Sequence, residues 1–382
     1  MEKVDANGAP LWALAYAVSA STSINQIKQT SDGGYIAVGS AQNIDGLIAG
    51  LVLKLDANGA VQWQRELGSG TTAAYFNAVL QTSDGGYAVL GESYVTGTPL
   101  PVTSVLLVAF GADGTVRWQQ NYNNLDSADL SPTSSEHADS IIQTSEGGYL
   151  IGGDWGHGMG QGAYGGALLL KLTSTGDIVW QRVYSEFGRQ FHGGAEVFSL
   201  LQVNDGYVIT GDGWFELGAD RTQLVPWLAK MDSNGNYLWQ YFYFDIGPTT
   251  GRILSEYFAS SAYASDGGFL SLGNTVDDNN NHGELYAVKT DSAGIMEGKC
   301  DQLHDPTVYD TFDPLMISFS PSLPVQTTVT PGEIIQTRAQ TTSIVVRAKC
   351  DAQPSPSPTP TLTPTPTAPA TATPTANQPS LT

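Results

Sequence analysis

The stretch QTSDGGYIAVGS, residues 29–40, decides the reading because the chain repeats it. It returns as QTSDGGYAVLGES from Gln81, QTSEGGYLIGGDW from Gln143, QVNDGYVITGDGW from Gln202 and YASDGGFLSLGNT from Tyr263, at separations of 52, 62, 59 and 61 residues. A second phrase alternates with it: KVDANGAPLW from Lys3, KLDANGAVQW from Lys54, AFGADGTVRW from Ala109, KLTSTGDIVW from Lys171, KMDSNGNYLW from Lys230 and the degenerate KTDSAGIMEG from Lys289. A repeat of this size marks one supersecondary unit used several times over, with loops of varying length.

Within each unit the apolar residues come in short runs of Val, Ile, Leu and Tyr, broken by Asp-Gly-Gly or Asn-Gly turns that accept positive φ. Each unit therefore reads as four strands, A to D, which in the first unit fall near residues 24–30, 35–39, 51–55 and 61–67. The expected fold class is all-β: a β-propeller of about five four-stranded antiparallel blades, with six as the alternative if residues 301–349 supply further strands. The fifth unit lacks the Trp of its D strand, carrying Ile295, Met296 and Glu297 instead, while residues 9–16 form a D strand around Trp12 with no A or B before it. The N-terminal strand is thus expected to complete the last blade and close the ring. Three regions follow: the propeller at 1–299, a Cys-bracketed β extension at 300–350, and a disordered Pro/Thr-rich stalk at 351–382.

Q-T-S-D-G-G-Y alternating with K-L-D-x-x-G-x-x-W resembles the secreted bacterial and archaeal β-propeller repeat proteins built on these phrases, over roughly residues 3 to 299. That resemblance implies an extracellular location and an architecture rather than a chemistry. The second phrase is also distantly similar to the tryptophan-docking motif of quinoprotein propellers. This implies that Trp12, Trp63, Trp118, Trp180 and Trp239 pack between adjacent blades, without implying a quinone.

Composition limits function. Sixteen Lys and Arg against thirty-seven Asp and Glu give a formal charge of -21, which leaves no basic face for nucleic acid or anionic lipid. No apolar run is long enough to span a membrane, and MEKVDANGAP lacks the regions of a signal peptide. Cys300 and Cys350 bracket the end of the folded region and are expected to form a disulfide, which fits an extracellular or cell-surface protein. The five histidines show no zinc spacing, and no nucleophile elbow or phosphate loop is present. No cofactor is expected. Calcium is conceivable only in the loop DDNNNHGE at 277–284, and the Asp-x-Asn-Gly turns at Asp5, Asp56 and Asp232 read as hairpin turns without the later ligands of a calcium loop.

One constellation remains. The residue closing strand B is Ser40, Glu92, Asp154, Asp212 and Asn274 in the five units, so three successive units place a carboxylate at one matched position, with Trp155 and Trp214 close behind. The same end of the units receives the long B-to-C and D-to-A loops, bearing Tyr94, His137, His157 and His192. Carboxylates beside aromatics suit a sugar, whose apolar face stacks while its hydroxyls are bound. Glu92, Asp154, Trp155, Asp212 and Trp214 are the expected ligand-binding residues, and the expected partner is a glycan or a surface protein. A binding or adhesion module is the leading expectation; a glycoside hydrolase using Glu92, Asp154 and Asp212 is the alternative, and a quinone-dependent dehydrogenase stands a distant third.

Overall fold

The structure is a computed structural model. It describes residues 1–17, 21–42, 46–68, 71–95, 103–124, 135–157, 164–185, 195–218, 221–243, 254–277 and 283–296, with five short strands between 302 and 334. Cys300, Cys350, the loop residues 278–282 and the tail from 351 lie outside the described residues. No helix occurs among the described residues.

Four repeat units each form a four-stranded antiparallel sheet in sequence order, as the turn chemistry dictates. Unit 1 is β3 (Thr22–Gln29), β4 (Tyr35–Gln42), β5 (Ile48–Leu55) and β6 (Val61–Leu67). Unit 2 is β7 (Thr72–Gln81), β8 (Tyr87–Val95), β9 (Thr103–Phe110) and β10 (Val116–Asn124). Unit 3 is β11 (Ser135–Gln143), β12 (Tyr149–His157), β13 (Tyr164–Leu172) and β14 (Ile178–Ser185). Unit 4 is β15 (Glu196–Val203), β16 (Gly206–Gly218), β17 (Arg221–Met231) and β18 (Tyr237–Tyr243). Unit 5 has three described strands, β19 (Leu254–Tyr263), β20 (Phe269–Asp277) and β21 (Gly283–Thr290).

The two repeat phrases turn out to be halves of one bond. In the A-to-B turn, Asp32 accepts hydrogen bonds from Thr30 Oγ1 and from the amide of Gly34, and pairs with Lys54 Nζ at 2.8 Å on strand C. The link to a strand-C lysine recurs as Glu146 to Lys171, Asp205 to Lys230 and Asp266 to Lys289, while in unit 2 Arg117 of strand D takes the base's place opposite Asp84. Gly34 is required by close approach, since a Cβ there would sit 2.2 Å from the Leu55 carbonyl oxygen. The C-to-D turns are hairpin turns, as expected: Asp56 accepts from the amides of Asn58 and Ala60, and Gly59 takes φ of 85°.

Units are joined by the D-strand aromatics. Trp63 Nε1 donates to Ala112 O at 3.0 Å and Trp180 Nε1 to Ser233 O at 3.1 Å, in each case on the C-to-D turn of the next unit. The indole lies over that turn's glycine so closely that a Cβ on Gly114 would approach the Trp63 ring to 2.7 Å. Tyr122, Tyr184 and Tyr243 donate their hydroxyls to the carbonyls of Gly176, Gly235 and Gly294. Between units the sheets bury continuous apolar cores, one containing Leu150, Leu169, Val197, Ile209 and Trp227.

The termini depart from expectation. β1 (Glu2–Val4) and β2 (Pro10–Ala17) form a C–D hairpin, whose Trp12 and Tyr16 donate to the turn of unit 1 at Ala57 O and Gly59 O. β2 does not pair with β21. Its two edges are taken by β1 and by β26 (Thr330–Ile334), so the N-terminal strand does not supply the fourth strand of unit 5. The hairpin brings its own C strand, a role the sequence reading had not given to residues 2–4.

Residues beyond 301 do not build a sixth blade among the described residues. They run backward past the outer edges of the units: β22 (Gln302–Leu303) pairs with β18, β23 (Asp310–Phe312) with β14, β24 (Met316–Phe319) with β10, β25 (Val325–Gln326) with β6, and β26 with β2. This segment is a belt. It caps in turn the D-strand edges that would otherwise expose unpaired backbone groups.

Candidate functional site

Strand A of every unit carries a β-bulge at one matched position, at Asn25, Asn77, Asp139, Phe198 and Ala259. A bulge leaves one residue unpaired and re-aims its side chain. Residues of all five A strands line a single cavity of about 630 Å³, among them Gln26, Ala78, Asp139, Phe198 and Ala259. The A strands of the five units therefore share one channel-like cavity.

At the end of that channel bearing the B-to-C loops, the bulges stand next to the cross-strand pairs Ser23–Ser40, Tyr75–Glu92, His137–Asp154, Glu196–Asp212 and Tyr257–Asn274. Units 2, 3 and 4 thereby gather Glu92, His137, Asp139, Asp154, Glu196 and Asp212. His137 Nδ1 lies 3.0 Å from Glu92 Oε2, and Asn77 Nδ2 donates to Glu92 Oε1 at 3.1 Å. Oxygens of Asp139, Asp154 and Glu196 lie within 4.8 Å of one another.

Carboxylates this close in a half-buried setting cannot all stay ionised. Burial, reinforced by its neighbours, pushes Asp154 up to about 6, although His137 opposes the shift. Burial and the charge of Asp154 push Asp212 up to about 7. Asp139 and Glu196, hydrogen-bonded to each other, are both raised, first by burial and then by surrounding acids. His137 is held up at about 9 chiefly by its hydrogen bond to Glu92, so it is an imidazolium at neutral pH. The three close carboxyls could surround a small cation or share a proton, since either lowers the repulsion among them.

Aromatic groups flank the acids. Tyr75 and Tyr94 stack with ring centroids 5.6 Å apart and share a hydroxyl contact of 2.9 Å. On the far side Tyr257 accepts from Asn274 Nδ2 at 2.9 Å and packs on Phe198.

Among the expected site residues, Glu92, Asp154 and Asp212 come together at the channel mouth, Asp212 being the most enclosed at 5% exposure. Trp155 does not. It is 4% exposed and belongs to the core between units 2 and 3, with Leu168, Leu170 and Ala138. The reason is strand parity: neighbours in a strand point to opposite faces, so Trp155 must turn away wherever Asp154 faces the channel. Trp214 occupies β16 opposite Leu224, and its side chain, like those of His157 and His192, lies outside the described residues. The calcium candidate at 277–284 also falls largely outside them.

Asp139, Glu196, Tyr75 and Tyr257 escaped the sequence reading. Counting back four residues from each repeat phrase would have found the bulge series Asn25, Asn77, Asp139, Phe198 and Ala259.

No family model matches the chain, and no curated protein matches it. Among solved structures, a candidate exo-beta-1,3-galactanase from Bifidobacterium bifidum s17 aligns at 12% identity with a TM-score of 0.35, over 80% of this chain and 95% of that one. At that score the likeness carries no argument. The repeat units and the acid cluster define an all-β protein of propeller-like blades, with its candidate site where strands of units 2, 3 and 4 meet.

Proposed function

We propose that the channel mouth is a binding site for a neutral glycan, carried by a β-propeller that works outside the cell. The observation behind this reading is the meeting of donors and acceptors from three units, Glu92, His137, Asp154, Glu196 and Asp212, beside the stacked pair Tyr75 and Tyr94. A partly protonated carboxyl set can donate to one sugar hydroxyl while accepting from another, and a tyrosine pair offers a face to the sugar ring. The formal charge of -21 disfavours anionic ligands. In this reading the units close into a ring that the C-terminal belt binds, Cys300 and Cys350 form a disulfide, and the Pro/Thr-rich tail is a stalk.

One observation favours a second reading, glycoside hydrolysis. The mouth holds carboxyl groups of different proton affinity, Asp154 at about 6 and Asp212 at about 7, with Glu196 raised further by burial and its acidic neighbours. Divergent carboxyl groups on facing elements are how glycosidases separate an acid from a base or nucleophile. The two readings share a site and differ in turnover. A glycan array combined with a reducing-sugar release assay tests both. Binding without release supports the module, release abolished by Glu196→Gln supports the hydrolase, and no interaction with any neutral glycan contradicts both.

A further inference from the structure

Asp139 breaks a pattern that the preceding units keep. At the bulge position of unit 1, Asn25 Nδ2 donates to Phe76 O at 2.9 Å in unit 2, and at the bulge of unit 2, Asn77 Nδ2 donates to Ala138 O at 3.1 Å in unit 3. Phe76 and Ala138 each immediately precede the bulged residue of their own strand. The bulge amide is thus a clamp from one unit to the backbone of the next. A second latch runs beside it, with Gln26 Oε1 accepting from Val79 N and Ser199 Oγ accepting from Ser261 N.

In unit 3 the clamp residue is an aspartate, and a carboxylate cannot donate to the matched carbonyl, that of Val197. Its side chain instead lies against Glu196 and Asp154, with carboxyl oxygens within 4.8 Å of one another, and Asp139 Oδ2 is buried with no hydrogen-bond partner among the described residues. Two carboxyl groups can share a hydrogen bond only if one keeps its proton. The exchange of Asn for Asp gives up the matched bond from unit 3 to unit 4, as Phe198 does from unit 4 onward, but only Asp139 puts a carboxyl at the bulge, within the acid cluster and lining the cavity. Places where a repeat violates its own local rule are where function is expected to have displaced stability.

We propose that Asp139 is a positioning residue of the channel mouth: it sacrifices the inter-unit clamp of Asn25 and Asn77 to form, with Glu196, a carboxyl pair holding one shared proton toward the ligand. The groups facing the pair are Asp154 and His137 of unit 3, Glu92 of unit 2 and Asp212 of unit 4. Four of these six groups are carboxyls whose proton affinity is raised, and the imidazolium of His137 is already committed to Glu92. The glycan as ligand rests on the reading proposed above; the shared proton and the lost clamp do not.

The test is Asp139→Asn in the full chain, followed by thermal unfolding from pH 4 to pH 9 and by titration with neutral cello-, manno-, xylo- and galacto-oligosaccharides. A carboxyl with raised affinity stabilises the fold below its ordinary range and loses that contribution as pH rises through its folded value. The wild type should therefore lose stability from about pH 4 upward. Asp139→Asn should raise Tm by several degrees at pH 8, gain less at pH 5, and show a flatter profile. Asp139→Ala, which can neither clamp nor share a proton, should flatten the profile without the full gain. As the mirror experiment, Asn77→Asp should lower Tm, because it removes a clamp that is in use. A lower Tm for Asp139→Asn at pH 8, or a pH profile that superimposes on the wild type, overturns the shared proton and the lost clamp. A Tm that rises with added Ca²⁺ in the wild type but not in Asp139→Asn also overturns the proton, assigning the pair to a cation. If an oligosaccharide binds the wild type, Asp139→Asn should weaken it at least tenfold, and undiminished binding overturns the positioning role. If the Tm results hold while none of these sugars binds, the glycan reading fails and the proton pair stands.

Discussion

The two ends of the same sheets treat their carboxylates in opposite ways. At the turn end each A-to-B acid has a basic partner and backbone donors: the bond from Lys54, supported by Thr30 and Gly34, holds Asp32 down at about 2, and Thr82, Gly86 and Arg117 do the same for Asp84. At the mouth the acids of units 3 and 4 have mainly each other, and burial drives Asp154 and Asp212 up. One end repeats five times with little variation, whereas the other differs in every unit. A scaffold that places identical turns at one end can vary the other freely, so the end that stores unfavourable charge is the one to examine for function.

The largest break in this comparison should come from the structure that both ends depend on. Truncation at residue 301 removes the belt strands paired with β2, β6, β10, β14 and β18, exposing outer edges throughout, and is expected to give aggregated protein on size-exclusion chromatography. A monodisperse truncated protein with unchanged Tm would show that the belt is dispensable.

Next in size is Trp155→Ala. A tryptophan at 4% exposure in a packed core should cost about 3–5 kcal/mol in denaturant unfolding, whereas a surface platform would cost almost nothing. Trp180→Ala should come between these, at about 2–3 kcal/mol, because the partly buried ring both packs and donates to Ser233 O.

The smallest effect belongs to the turn end. Asp32 is half exposed, so screening limits the Lys54 pair, and Asp32→Asn should cost less than about 1 kcal/mol at pH 7. Its folded proton affinity is lowered, so the contribution is present above about pH 4 and disappears as pH falls through about 2. Urea midpoints for wild type and variant should therefore converge near pH 2, and a persistent gap there would assign the cost to something other than charge.

How far the sequence could be read follows the same division. The turns, strand order, tryptophan docking and matched carboxylates were readable because each rests on a local rule: a glycine with positive φ, an alternating strand, a repeated spacing. The belt was not readable, since pairing to an outer edge is set by distant backbone and needs no particular side chain. Trp155 was misplaced because nearness in sequence to Asp154 was taken as nearness in space, although successive strand residues face opposite ways. Asp139 and Glu196 were missed because both lie on strand A, ahead of the repeat phrase: Asp139 is the bulged residue that the pairing leaves out, and Glu196 is brought to the site by its register opposite Asp212.

The claim that the mouth holds strained acids is tested most directly by comparing the unfolding free energy of wild type with that of Asp154→Asn combined with Asp212→Asn across pH 4 to 9. Raised carboxyls make the wild type progressively less stable as pH climbs through about 6 and 7. The double variant should be the more stable protein at pH 8, close to the wild type at pH 4, and impaired in whatever ligand the mouth binds. A double variant that is less stable than the wild type at pH 8 would contradict this, showing that these carboxylates support the fold and do not burden it.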